Sequence, residues 1–427
     1  MTRPFLARLG NGVRVVAVPR PTLSRAHVFV QLRGGPAHED DDTWGLSHLT
    51  EHMLFRGAGR FADVRALTLF ADDFGGDVGA MTYRDRVAYD TRVDPDRLGD
   101  AFSLLAGMMT APRFTGLAIE RDIVEEEIAD LFDDDGNEVD VENAVAVRIL
   151  AGHPLARSIE GTPASLRKAT RARLRQFHAR CYRGGNLVVS VAGPVARRAV
   201  LEAAGRAFAR VQPGGPPAPG VPPRPPRRRD VTVIPTDASQ TQLRLCAPAP
   251  GVRSKDAWAA VALARVLDDG PASRLQARVV DAQGLAYAVW AFADQYEERG
   301  VLEVGGTVRH DRVEELAREL LRQLLSLARR GPTAAELARV VQRYRRDARD
   351  AWDDPAALAE AAGKGTLFSQ PWSPEHAVAA LAAVRPDDVR SVARSCFARA
   401  HVVLAGSPSR RAVQAARATV ARLAAAR

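Results

Sequence analysis

The sequence predicts an α+β protein of two similar domains, each a mainly antiparallel sheet with helices packed on it. Three observations predict it. At 427 residues the chain is long for a single core. The proline-dense stretch 213–229 forbids helix or central strand and reads as an extended tether. On either side of it the same order of periodicities recurs: two strand-like runs, helical spacing, a further strand-like run, amphipathic helices and a closing strand. The chain therefore divides into a first domain over 1–212, a linker over 213–229 and a second domain over 230–427.

Taken in order, 13–18 and 27–32 are apolar, β-branched runs of strand length. Helical spacing follows Trp44. A further strand-like run covers 83–92, and 187–191 closes the first half. The second half repeats this with strands over 231–234 and 241–246, helical spacing after Ala257, a strand over 300–308 and a closing strand over 401–404. Hydrophobic content of 46% with 26% charge is ordinary for a globular protein. Cys181, Cys246 and Cys396 are far apart and odd in number, which argues against a disulfide framework and for a reducing compartment. No signal peptide or mitochondrial presequence is evident, and no apolar run approaches the roughly 20 residues of a membrane span. A cytoplasmic, bacterial protein without membrane attachment is the expectation. The net charge of +9 comes from arginine, with both signs interspersed and no aromatic-basic platform, so nucleic acid is not an expected partner. The cluster Arg224, Arg227, Arg228, Arg229 lies in the linker and reads as a solvated connector.

The chemistry is concentrated in His48-Leu49-Thr50-Glu51-His52. At ~100° per residue His48 and His52 stack one turn apart on one helix face, with Glu51 beside them. Neutral imidazole is a good zinc ligand, a catalytic site keeps one position for water, and an adjacent carboxylate can take that water's proton. The order H-x-x-E-H is the inverted form of the zinc-protease helix. Asp41, Asp42 and Thr43 offer N-cap oxygens; Leu46, Leu49, Met53 and Leu54 offer an apolar face; Gly57 offers a stop. The competing expectation is a core helix with two satisfied histidines. A third ligand decides between them. In 120–131 the apolar residues Ile123, Val124, Ile128 and Leu131 define a stripe; with Ile123 at zero it centres near ~80°, Glu127 falls at ~40° and Glu120 at ~60°, while Glu125 and Glu126 point away. Two inward carboxylates need a positive partner. A zinc ion on His48, His52 and Glu127 provides one, with Glu120 orienting a ligand through a hydrogen bond. Pairing of Glu120 and Glu127 with arginines is the competing expectation.

These residues resemble the pitrilysin, or insulinase, metallopeptidases, and within them the mitochondrial processing peptidases and their half-length bacterial relatives. The matching text is Gly45-Leu46-Ser47-His48-Leu49-Thr50-Glu51-His52-Met53-Leu54-Phe55-Arg56-Gly57, followed at the family's distance by Glu120 and Glu127. Residues 74–85 resemble the family's active-site edge strand, while Ala272-Ser273-Arg274-Leu275 and Gly284-Leu285-Ala286-Tyr287 resemble its C-terminal domain. The resemblance implies one Zn²⁺ per chain on His48, His52 and Glu127, with Glu51 activating water, Glu120 supporting it and Tyr287 contacting substrate. It implies a zinc endopeptidase acting on unstructured peptides or leader segments. Peptide would add along the strand edge at Gly79, Ala80, Met81 and Thr82 through main-chain hydrogen bonds. Two positions depart from the family: Gly79 stands where Asn helps hold the substrate, and Val280 stands where an Arg precedes Tyr287 by seven residues. In two-subunit members one chain carries zinc and its homologue supplies the Arg/Tyr pair, so this chain is expected to be the zinc-bearing half, with a homodimer or a non-catalytic structural subunit as the alternatives.

Overall fold

The computed structural model describes residues 4–217 and 230–425. Residues 218–229, most of the expected linker, lie outside the described residues; 213–217 have no regular structure. Two compact units result, and they do not follow chain order. The first comprises 4–130, 157–217 and 348–374; the second comprises 131–156, 230–347 and 375–425. A division at the proline-rich stretch alone puts 131–156 in the first half and 348–374 in the second, whereas the compact units exchange these two segments.

The first unit is built on a six-stranded sheet: β1 (Phe5–Arg8), β2 (Arg14–Pro19), β3 (Ala26–Arg33), β4 (Val78–Thr82), β5 (Arg86–Val93) and β6 (Leu187–Gly193), in the order β1-β2-β6-β3-β5-β4. Only the β2–β6 pair is parallel. Period-two alternation sends Val15, Val28, Val30, Leu32, Val189 and Val191 into one core with Leu49, Met53, Phe102 and Leu105. That core lies under α1 (Leu46–Phe55), α2 (Val64–Asp73), α3 (Leu98–Thr110) and α4 (Leu117–Ala129). The helix Pro355–Phe368 also packs on this sheet, where Gln31 Nε2 donates to Glu360 O at 2.9 Å and Arg14 Nη1 to Thr366 O at 2.6 Å.

The second unit repeats the plan with β7 (Val231–Ile234), β8 (Thr241–Pro250), β9 (Ala288–Gln295), β10 (Arg299–Val308) and β11 (His401–Ala405), ordered β7-β11-β8-β10-β9. Matching the strands from one edge to the other pairs β2 with β7, β6 with β11, β3 with β8, β5 with β10 and β4 with β9. Its core gathers Leu243, Leu245, Leu263, Leu302, Leu320 and Phe397 under the helices Ala257–Leu267, Val313–Arg330 and Pro386–Phe397. The fold is thus α+β in two similar units, as expected. Strands β1 and β9 had no clear sequence signal. Tyr83, read as a strand residue, forms the β4–β5 turn instead, its N–H donating to Arg86 O at 2.8 Å.

Two expectations about the helices change. Helix α1 takes no side-chain cap from Asp41, Asp42 or Thr43; its N-cap is Gly45 at φ 85°, and Asp40 Oδ1 instead binds the Asp42 and Thr43 amides. A Cβ on Gly45 would lie 2.7 Å from Glu160 O, so both the left-handed backbone and the close approach select glycine. In α4 the buried positions are Glu120, Val124 and Ile128, whereas Ile123 is 37% exposed, so the buried stripe lies to one side of the one drawn through Ile123.

Leu49 is fully buried between the two histidines' turns. Leu49→Ala is expected to cost roughly 2–5 kcal/mol, read as a lowered midpoint of the first unit's unfolding in a denaturant titration.

Candidate metal centre

Helices α1 and α4 bring the two histidines and both inward glutamates together. His48 Nε2 and His52 Nε2 lie 3.2 Å apart, with their rings 72° to one another. Glu127 reaches both: its Oε2 is 3.6 Å from His48 Nε2 and its Oε1 3.7 Å from His52 Nε2. One ligand atom from each of these three residues falls within 4.8 Å of the others, the one such group of His, Cys, Asp and Glu among the described residues. Zinc bonds of 2.0–2.2 Å in tetrahedral geometry place ligand atoms roughly 3.3–3.6 Å apart. The observed separations of 3.2, 3.6 and 3.7 Å bracket that range, the last two reaching different oxygens of Glu127.

Glu120 is 6% exposed and does two things at once. Its Oε2 lies 2.9 Å from His52 Nδ1, and its Oε1 accepts from Arg56 Nε. The carboxylate holds the proton on Nδ1 and leaves the His52 Nε2 lone pair free to coordinate. Both sequence expectations therefore apply to Glu120, which orients a histidine and also pairs with an arginine. Glu127 sits against the histidines. Arg56, four residues beyond His52, was not singled out from the sequence, although helical spacing puts it on the same face.

Burial and charge set the protonation states. His48 is pushed down to about 3, first by burial and then by the neighbouring His52. It is neutral at ordinary pH, the form that coordinates metal. Glu127 is raised by burial and by the carboxylates of Glu160, Glu120 and Asp130, with His52 opposing. Glu51 is raised by burial and by Glu127, with Thr82 and His52 pulling it down. Two carboxylates raised side by side mark a site short of positive charge, and a dication supplies it. The donor set fits zinc: two imidazoles and one carboxylate.

Glu51 projects from the same helix toward β4. Its Oε2 accepts from Thr82 Oγ1 at 2.5 Å. Strand β4 is the sheet edge and pairs with β5 alone among the described residues, so its outer backbone groups are open. Of the four edge positions singled out from the sequence, Gly79 and Ala80 are half-buried, Met81 is 55% exposed and Thr82 is buried. A Cβ on Gly79 would lie 2.8 Å from Asp90 Oδ1, across the strand pair, and Asp90 is held by His27 Nε2 at 2.7 Å. That carboxylate fills the space beside Gly79. In the second unit Tyr287 is 93% exposed, and Val280, within a π-helical turn Gln276–Asp281, packs on the second core.

The sequence reading missed Glu39. It is 5% exposed, and its two carboxylate oxygens accept from the Gly45 amide at 2.9 Å and the Ser47 amide at 2.6 Å, capping the helix that carries the histidines. Burial pushes its carboxyl up from 4.5 to about 7, against the pull of Ser47, the two amides and Arg157. The native state therefore binds this proton more tightly than the unfolded chain. The stability it contributes is complete below about pH 4.5 and is lost as pH rises through about 7. Urea unfolding at pH 5 and pH 8 is expected to show a loss of up to ~3 kcal/mol over that window, and Glu39→Gln is expected to remove that slope.

Comparison with known proteins agrees with this arrangement. Residues 14–163 match the family description "Insulinase (Peptidase family M16)", and residues 168–344 match "Peptidase M16 inactive domain". An uncharacterized zinc protease of Mycobacterium tuberculosis is 29% identical over 411 residues, covering 93% of this chain and 91% of that one. The crystal structure of a peptidase M16 inactive domain from Pseudomonas fluorescens superposes with a TM-score of 0.85 at 22% identity, over 96% of this chain and 98% of that one. The periplasmic protease PqqL of Escherichia coli superposes at 0.80 and 19% identity, over 99% of this chain but 50% of its own. Both halves match the family's two domain types, and the first half carries the histidines and glutamates just described; the chain belongs to the insulinase family of peptidases, family M16.

Proposed function

We propose that this chain is a zinc-dependent endopeptidase for unstructured peptides or leader segments, binding one zinc ion through His48, His52 and Glu127. The observation that carries the proposal is the convergence of those three donors, from two helices, at the spacing of a zinc coordination edge beside a carboxylate and an open strand edge. Zinc, when bound, supplies Lewis-acid polarisation of the scissile carbonyl and acidifies water. The chain's own residues do the rest. A peptide adds to the outer edge of β4, and its backbone hydrogen bonds hold it in a sequence-tolerant way. Gly79, Ala80, Met81 and Thr82 set its register, with Met81 presenting an exposed apolar side chain to it. Glu51 accepts the proton from the attacking water and delivers it to the departing amine. Its burial raises the carboxyl above the usual carboxylate range, which favours a group that must both take and give a proton. Glu120 keeps His52 in the coordinating tautomer.

The chain acts as the zinc-bearing half of a two-subunit enzyme, in which a homologous partner contributes the Arg/Tyr pair. Two features support this reading. Val280 occupies the position of that arginine while Tyr287 stands exposed, and PqqL is twice the length that this chain matches. A structural subunit without catalysis is the competing reading; it has no use for four converging metal-site residues and predicts no stoichiometric zinc in the purified protein.

Glu51→Gln is expected to lower peptide turnover by ~10²–10⁴-fold while metal analysis still finds one zinc per chain. Glu120→Gln is expected to weaken zinc roughly 10- to 100-fold in a competition titration with a chelator, with turnover restored at excess metal. Full activity of Glu51→Gln would overturn the role assigned to that carboxylate.

A further inference from the structure

We infer that Thr82 is a positioning residue for Glu51, so that one strand, β4, fixes both the peptide and the base that acts on it. The inference rests on the peptidase reading above and adds a role to a residue that the sequence marked only as a substrate contact. Alternation along β4 turns Val78 and Ala80 toward the first core, and Thr82 follows them inward, whereas Met81 faces out. Thr82 is 5% exposed, so its hydroxyl is withdrawn from any peptide on the outer edge. That hydroxyl donates to Glu51 Oε2 at 2.5 Å, and the Thr82 amide also donates to this carboxylate. A glutamate on a helix has three rotatable bonds, and two donors from one residue select a single arrangement of them.

Thr82 is itself held on both sides. Before it, β4 pairs in register with β5 from Val78↔Thr91 to Thr82↔Val87, and Thr91 Oγ1 donates to Asp77 O at 2.7 Å. After it, the Tyr83–Arg86 turn is pinned to the helix Pro355–Phe368. Arg86 Nη2 lies 2.7 Å from Glu360 Oε1, the Tyr83 hydroxyl donates to the same oxygen at 3.3 Å, and the Arg86 guanidinium lies 3.5 Å from the Tyr83 ring centroid. Arg86 is 6% exposed, which makes this a buried anchor. The strand cannot shift along its axis without breaking one of these contacts. A peptide registered on β4 is therefore registered against Glu51 as well, because Thr82 links the two.

The test compares Thr82→Val, which keeps shape and removes the hydroxyl, with Thr82→Ser, which keeps the hydroxyl, both as zinc-loaded full-length protein supplied with whatever partner the wild type needs. Thr82→Val is expected to retain one zinc and wild-type KM within about two-fold, while kcat falls roughly 10- to 100-fold, the scale of a misaligned catalytic group. Thr82→Ser is expected to recover kcat to within about three-fold of wild type. A purely structural role predicts equal damage from both variants, or a rise in KM alone; either result, or wild-type kcat in Thr82→Val, overturns the inference. Crystals of zinc-loaded Thr82→Val give a second reading that needs no turnover. The inference expects the Glu51 carboxylate displaced or spread over several rotamers, and an unmoved carboxylate refutes it. A wild-type protein that cleaves no peptide defeats the peptidase assignment, and the carboxylate position still decides the role of Thr82.

Discussion

Two imidazole nitrogens, His48 Nε2 and His52 Nε2, held 3.2 Å apart by one turn of helix, are the constraint on which the site depends. If both are neutral acceptors, their lone pairs face each other across that gap and repel. A proton on one of them, or a cation between them, resolves the conflict. Burial works against a second proton on His48, which is pushed down to about 3, so the ring is neutral and carries its single hydrogen on one nitrogen. At His52 the Glu120 carboxylate claims the ring's proton for Nδ1. A cation shared by both lone pairs is a further solution, and Glu127 offers it a negative counterpart from a second helix.

The surrounding fold is arranged to keep α1 still. Its N-terminus is closed by Glu39 rather than by a local Asp or Thr, its N-cap Gly45 packs against Glu160 and Gly161, and its apolar side fills the core through Leu49, Met53 and Leu54. Helix α4 adds Val124 and Ile128 to the same core while keeping Glu120 and Glu127 toward α1. The candidate metal-holding residues His48, His52 and Glu127 are thus carried on regular elements whose positions are fixed by packing.

Much of this was legible in the sequence. Residues 48, 52 and 127 were identified because helix periodicity is a local property that survives without knowledge of the fold. The plan of two similar α+β domains followed from recurring periodicities for the same reason, while the order of strands across each sheet had no sequence signal. What was not legible depends on distance in sequence. Glu39 caps α1 from six residues before Gly45, through a loop that has no capping pattern, and Glu360 reaches Arg86 and Tyr83 from 274 and 277 positions away. The exchange of 131–156 and 348–374 between the units belongs to the same class, since no composition break marks those boundaries. Ile123 shows the converse error. An apolar residue was counted into the buried stripe, yet the stripe turns toward Glu120, whose buried carboxylate pairs there with the half-buried Arg56.

The two units share a strand order but not a chemistry, and the reason is visible at corresponding elements. In the first unit the helix that follows the β3 strand carries two imidazoles and a glutamate beside the edge strand β4. In the second, the helix that follows β8 is Ala257–Leu267, whose buried positions are all alanine, leucine or valine, among them Ala259, Ala260, Ala262, Leu263 and Val266. Those apolar side chains let the helix settle into the second core, and they offer no ligand atom. The buried polar groups of the second sheet lie elsewhere: Glu303 Oε1 accepts from Arg244 at 3.1 Å and from Trp290 at 2.8 Å, while Cys246 Sγ lies 3.9 Å from its Oε2. One architecture therefore serves two ends. Where the helix face is polar and its acceptors converge, the fold offers a donor set that fits a metal ion; where that face is filled with alanine and leucine, the same fold offers none.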